Sequence, residues 1–202
     1  MLQQKDNNTI TKQLFREISG GNRNAFDTLF RQQYVKLVSF AQSFVAEKGL
    51  AEEAVSDLFV WIWMNRASLS SVSNPEVYIF TAVKNRCLNS LRDASKIVSL
   101  DEYPETNISV ADNPQTNMER DELSEKLNSV IENLPEQQRI IFRMIKENGL
   151  TAKQTAEILQ LSPRTVETHI YKAIQQLEKE ITEYLGYTPK KKVMKRMIML
   201  LL

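Results

Sequence analysis

Little in this sequence can staple a fold or hold a metal. One cysteine, Cys87, excludes an internal disulfide framework and fits a reducing compartment. One histidine, His169, leaves no His/Cys set for a metal site. Five glycines and six prolines leave few turn formers, so long helices are expected. Apolar runs are short: no stretch of about 18 to 20 apolar residues exists, which excludes a helical membrane span. The first eleven residues are polar and lack the apolar stretch of a signal peptide. The chain is therefore expected to be cytoplasmic and soluble. No Gly-rich phosphate loop and no nucleophile–base pairing is present, so neither an enzyme nor a bound cofactor is expected. Charge of one sign is lacking too. The formal net charge is +1, so any nucleic-acid contact must come from local patches rather than from overall basicity.

Against these absences stands a hydrophobic share of 42%, enough to bury cores in one large domain or two small ones. Thr9 is a candidate cap for a short helix ending at Gly20-Gly21. Asn24 and Asp27 open a second helix, with Phe26, Phe30, Leu37, Ala41 and Phe44 at helical spacing and Gly49 as its stop. A third helix is expected over residues 50–66, with Glu52 and Glu53 suited to the positive end of its dipole. A serine-rich loop covers 67–73. Asn74-Pro75-Glu76 then supplies cap, first-turn proline and acid for a fourth helix running to about residue 94. Ile79, Val83, Cys87, Leu88 and Leu91 mark its expected buried stripe.

The period dissolves over 95–119, where Asp101, Glu102, Pro104, Glu105, Asp112 and Pro114 suggest an acidic, flexible linker. Helices resume at about 120–133, 135–147, 151–160 and 163–185, punctuated by Asn148-Gly149 and Ser162-Pro163. The fold class is all-α with two small helical domains. The boundaries are an N-terminal segment 1–23, a first domain 24–94, a linker 95–119, a second domain 120–185 and a tail 186–202. In the tail, Lys190, Lys191, Lys192, Lys195 and Arg196 precede six apolar residues. Six are too few to span a bilayer, so no stable membrane insertion is expected.

The sharpest pattern lies between Thr151 and Ile170. Ala156 provides the small side chain where two helices approach, and Leu159 and Leu161 flank the turn. Ser162 caps the second helix, with Pro163 at its first position, where a missing N–H costs nothing. Val166 and Ile170 form its apolar stripe. Gln160 occupies a turn position where glycine is common because the backbone often needs a positive φ. The remaining face is Arg164, Thr165, Glu167, Thr168, Tyr171 and Lys172. Such a helix can lie in the major groove, with Arg164 paired to guanine and Lys172 to phosphate. An ordinary helical hairpin with a solvated polar face has the same pattern.

Residues 132–185 resemble region four of sigma factors. The matching residues are Leu134, Pro135, Arg139 and Phe142, then Thr155, Ala156, Ile158 and Leu159, then Ser162, Thr165 and Val166. The first half is similar to region two of that family. Ala25, Phe26, Asp27, Leu29, Phe30 and Tyr34 match its opening. Ala51, Glu52, Glu53, Val55, Asp57, Phe59 and Trp63 match the polymerase-binding helix. Tyr78, Ile79, Phe80, Asn85, Arg86, Leu91 and Arg92 match the promoter-melting helix. Two regions alone, joined by a short linker, is the arrangement of the extracytoplasmic-function group.

The resemblance implies three surfaces and three partners: core RNA polymerase, promoter DNA and a dedicated anti-sigma factor. Glu52, Glu53 and Asp57 would dock the core polymerase, although acids there also suit a solvated helix start. Lys84, Asn85, Arg86, Asn89 and Arg92 would contact DNA as it melts. Arg164, Thr165, Glu167, Thr168, His169, Tyr171 and Lys172 would read the upstream promoter element. His169 stands where relatives often carry arginine, so base preference cannot be inherited. Trp61 and Trp63 are more consistent with packing than with base stacking, and Cys87 with the core.

Two other readings have distinct requirements. Ser162 to Val166, with Thr168 and His169, also resembles the helix-turn-helix of response-regulator activators. Those need an α/β input domain upstream, and they bind duplex DNA without polymerase. A pure interaction protein would lack promoter-dependent activity altogether.

Overall fold

The computed structural model describes residues 2–97 and 118–190. The first half comprises α1 (Leu2–Ser19), α2 (Arg23–Ala41), α3 (Lys48–Met64), a 3-10 turn (Arg66–Ser71) and α4 (Pro75–Ile97). The second comprises α5 (Met118–Glu132), α6 (Glu136–Lys146), α7 (Ala152–Leu159) and α8 (Pro163–Leu185). Among the described residues there is no strand, in keeping with the all-α expectation. Most of the expected linker and the tail from residue 191 lie outside the described residues.

Local chemistry sets most of the boundaries. Asn22 caps α2 through its side chain, which accepts from the Ala25 N–H at 3.2 Å. Asn74 accepts from the Val77 N–H at 3.4 Å, and Pro75 opens α4 as the sequence suggests. Thr151 and Gln154 form a reciprocal capping box at the start of α7. Ser162 accepts from the Thr165 N–H at 3.0 Å, and α8 begins at Pro163. Between them Gln160 takes φ 58°, the left-handed position anticipated from its place in the turn.

Several boundaries differ from expectation. Thr9 lies within α1 rather than capping it. The second helix ends at Ala41, because the chain turns there, and Gly49 falls inside the first turn of α3. Phe44 therefore leaves the helix but still packs edge-on against Phe40, ring centroids 5.0 Å apart. Most of the expected loop 67–73 is the 3-10 turn, with Leu69 buried at its centre. Leu88 and Leu91, expected in the stripe of α4, are exposed, since that part of the helix extends past the first-half core.

That core is built from Phe15, Ile18, Leu29, Leu37, Leu58, Ile62, Phe80 and Val83 with their neighbours. Burying each such side chain stabilises by about 1.5–3 kcal/mol relative to exposure. Trp63 packs against Phe26 and stacks under Arg66, consistent with its expected packing role. Cys87 is fully buried. The second half has its own core of Leu127, Val130, Phe142, Leu177 and Ile181, with a small cluster of Ile141, Ala156 and Val166 inside the helix-turn-helix.

The two halves are not separate bodies. Ile140, Met144, Leu150 and Ile158, all from the second half, are buried in the first-half cluster. Helix α7 packs along α4, and α6 reaches α2. Two polar bonds cross the same seam. Lys84 Nζ donates to the Ile158 carbonyl at 2.7 Å, and Gln154 Nε2 donates to Glu76 Oε2 at 2.8 Å.

Candidate nucleic-acid interface

Three surfaces carry the residues singled out by sequence. On α8, Arg164, Glu167, Thr168, Tyr171 and Lys172 are exposed, while Thr165 and His169 are half-buried. The Ser162 cap fixes the first turn, and Thr165 Oγ1 shares a 2.7 Å hydrogen bond with Ser162 Oγ. Thr168 is turned back on its own helix, donating to the Arg164 carbonyl at 2.8 Å. Tyr171 is 62% exposed, and its hydroxyl accepts from Gln175 Nε2 at 2.9 Å. Nδ1 of His169 is buried with no hydrogen-bond partner among the described residues. The long donors Arg164 and Lys172 are thus presented by a capped helix packed through Val166, Ala173 and Leu177. This is the geometry a major-groove reader needs.

On α4, the structure brings Asn85, Arg86 and Asn89 together with Trp61 and Tyr78 around a groove of about 470 Å³. Trp61 is only partly packed: it is 38% exposed and its ring lies 6.0 Å from that of Tyr78. An aromatic pair beside amide side chains is suited to stacking and hydrogen bonding an unpaired base. Sequence reading placed Trp61 in packing, because helical spacing does not separate a core face from a groove wall. Burial pushes the Tyr78 hydroxyl above its usual range, opposed by the nearby Arg86 charge. Arg92 is exposed farther along the helix, 4.0 Å from the carboxylate of Asp93. Lys84, grouped with these residues by sequence, points elsewhere. It is 8% exposed, bonded to the Ile158 carbonyl, and burial lowers its pKa.

On α3, Glu53 and Asp57 are exposed, and Glu52 is half-buried with Lys48 3.7 Å away. Val60 and Met64 continue the line of Glu53 and Asp57 and are 62% and 72% exposed. Spacings of four, three and four residues put all four on one side of the helix. The sequence reading picked out the acids but missed this apolar continuation. An exposed methionine at helical spacing reads as core until the fold shows where the core ends.

Among the described residues, no group of three or more His, Cys, Asp or Glu side chains is placed to hold a metal, and no helix is long and apolar enough to cross a membrane. The described residues of the first half contain no strand, so the α/β input domain of a response-regulator activator is not found there.

Comparison with known proteins assigns each half of the chain to a family model. The model of Sigma-70 region 2 matches residues 29–97, and that of Sigma-70 region 4 matches residues 124–177. Together they span more than half of the chain. The RNA polymerase sigma-H factor of Pseudomonas aeruginosa is 22% identical over 179 residues, covering 84% of this chain and 93% of that protein. The ECF RNA polymerase sigma factor SigK of Mycolicibacterium vanbaalenii is 22% identical over 170 residues, covering 82% and 86%. Two solved structures share the fold. CnrH in complex with the cytosolic domain of CnrY aligns with a TM-score of 0.53 and 19% identity, over 86% of this chain and 98% of that one. The sigma factor RpoE of Bartonella quintana, in complex with the anti-sigma factor NepR, gives 0.57 and 18%, over 78% and 96%.

Proposed function

The chain belongs to the sigma-70 family, with the two-region layout of its extracytoplasmic-function group, and from that premise we propose how its three surfaces divide the work of initiation. Residues 24–94 serve as the region that binds core RNA polymerase and melts promoter DNA. Residues 120–185 serve as the region that reads the upstream promoter element. The observation that carries this reading is the order of the two matched regions along one chain, each presenting its own solvent-facing surface. A helix-turn-helix alone would fit many DNA-binding proteins.

The acidic and apolar line of α3, Glu53, Asp57, Val60 and Met64, is the polymerase-docking face. Carboxylates there steer association with a basic surface, and the apolar pair supplies area that excludes water. The groove beside α4 receives an unstacked base against Trp61 and Tyr78, with Asn85 and Asn89 hydrogen bonding to it and Arg86 and Arg92 holding phosphates. Arg164 and its neighbours on α8 contact base edges in the duplex, with Lys172 on the backbone. The chain supplies recognition and strand capture; bond formation belongs to the polymerase, and the protein works in the cytoplasm. A dedicated anti-sigma factor holds it inactive until a signal arrives, as NepR is found with the Bartonella relative.

Co-elution with purified core polymerase on a sizing column tests the docking face. The wild-type chain should shift to the polymerase fraction, and a Glu53→Lys, Asp57→Lys double substitution should not. Equal co-elution of both would reject this face.

A further inference from the structure

We propose that Arg23 and Arg66, both held on the Trp63 ring, form a phosphate clamp for the backbone of the single strand whose base enters the Trp61 groove. The clamp deepens the promoter-melting role proposed above and rests on it for the identity of the strand.

The two guanidiniums reach one indole from different elements. Arg23 opens α2 behind the Asn22 cap, and its guanidinium carbon lies 5.9 Å from the centre of the Trp63 ring. Arg66 opens the 3-10 turn, and its carbon lies 5.0 Å from the same centre. At such distances a cation is attracted to the electron-rich face of the ring. Phe26 packs against the indole at 5.2 Å, and Arg66 Nη1 donates to the Trp63 carbonyl at 3.0 Å. The ring and one of its two cations are therefore fixed in place before any ligand arrives.

What the pair lacks is a counter-ion. Among the described residues neither Arg23 nor Arg66 enters an ion pair, although Asp27 stands one turn beyond Arg23 on α2. Arg143, by contrast, is paired with both Glu132 and Glu147. Two like charges on one ring repel each other, and an anion bound by both offsets that repulsion. Arg23 is exposed, and Arg66, half-buried, gives one N–H to the Trp63 carbonyl and keeps its other donors. The planar fork of a guanidinium matches the paired oxygens of a phosphodiester.

Position selects the ligand. Trp61, the stacking surface, precedes Trp63 by two residues, and Arg66 leads into the segment Ser71 to Asn74 that lines a second groove beside α4. A helix with its side chains is about 10–12 Å across. A strand leaving the Trp61 groove meets Arg66 and Arg23 by rounding the end of α3. A protein partner fits less well, because a polymerase surface complementary to Glu53 and Asp57 is basic and repels this pair. Trp61 offers its ring to a base, whereas Trp63 is occupied by Phe26 and the two cations and anchors charge instead.

Salt titration of binding to a fluorescein-labelled, random-sequence single-stranded DNA oligonucleotide tests the clamp in the full chain, read by polarisation. Each phosphate held by a cation contributes about 0.7 to the slope of log affinity against log salt. Arg23→Gln should lower that slope by about 0.7 and weaken binding alike for every sequence. Arg23→Lys, which keeps the charge, should restore the slope. Arg23→Gln and Arg66→Gln together should lower it by about twice as much. Trp61→Ala removes a stacking surface and no charge, so it should weaken binding and leave the slope unchanged. An unchanged slope in the Arg23→Gln chain, at native helicity, would overturn the clamp, and this arm stands even if Arg66→Gln fails to fold. So would loss of co-elution with core polymerase in the doubly substituted chain at an unchanged slope, which would assign the pair to polymerase. The expected slopes in a chain that directs no transcription with core polymerase would instead refute the sigma function and leave the phosphate site standing.

Discussion

Gln160 and Glu76 each sit in unfavourable local conditions, and each yields a measurable consequence. Gln160 holds φ 58°, which burdens a side chain with a Cβ by about 1–2 kcal/mol relative to glycine. Gln160→Gly should raise the melting temperature by a few degrees in a thermal denaturation scan, without altering DNA selectivity. Glu76 is half-buried, and its carboxyl is pushed above the usual range by burial, against the opposing effects of the Gln154 hydrogen bond and the Lys36 charge. The folded chain therefore holds this proton more tightly than the unfolded chain does. Stability contributed by protonated Glu76 is complete at low pH and is lost as pH rises through the raised pKa. Glu76→Gln keeps an acceptor for Gln154 and removes the buried charge. It should raise the melting temperature at pH 7 and leave it unchanged below about pH 4, where the carboxyl is protonated in both states.

Helix α8 is the element to which the proposed function assigns DNA reading, and its first turn is set by one side chain. Ser162→Ala removes the acceptor for the Thr165 N–H and should cost about 1 kcal/mol, read as a lowered denaturation midpoint. Arg164→Ala leaves the cap intact. It should instead cost about 1–3 kcal/mol of discrimination at one base pair of the upstream element, measured by competition between promoter variants. The start of this helix was legible because Ser162-Pro163 states it in two residues, and the same holds for Asn74-Pro75 at α4. The end of α2 was not: no residue near Ala41 is a strong stop, and Gly49 sits in the first turn of α3, where it signalled an end falsely. Leu88 and Leu91 were misjudged for a related reason. Their spacing continues the stripe of Ile79 and Val83, but the core beneath them stops first.

Across the whole molecule, the two-region organisation could be read from sequence, and the way the regions meet could not. Ile140, Met144, Leu150 and Ile158 fit the periodicity of a self-contained helix-turn-helix, so nothing in their spacing reveals that they bury against the other half. Lys84 shows the same limit: in sequence it is one cation among several on α4, and only the packed fold shows its ammonium against the Ile158 carbonyl. The α8 face, the Trp61 groove and the α3 line belong to different helices, and testing the roles proposed for them requires polymerase and DNA together. Run-off transcription with purified core polymerase, with and without this protein, on templates carrying its own upstream region and a set of genomic promoters, is the most direct test. Discrete transcripts that appear only when the protein is added are the result expected. Failure to bind core, together with unaided sequence-specific binding to duplex DNA, would contradict the account and point to an activator instead.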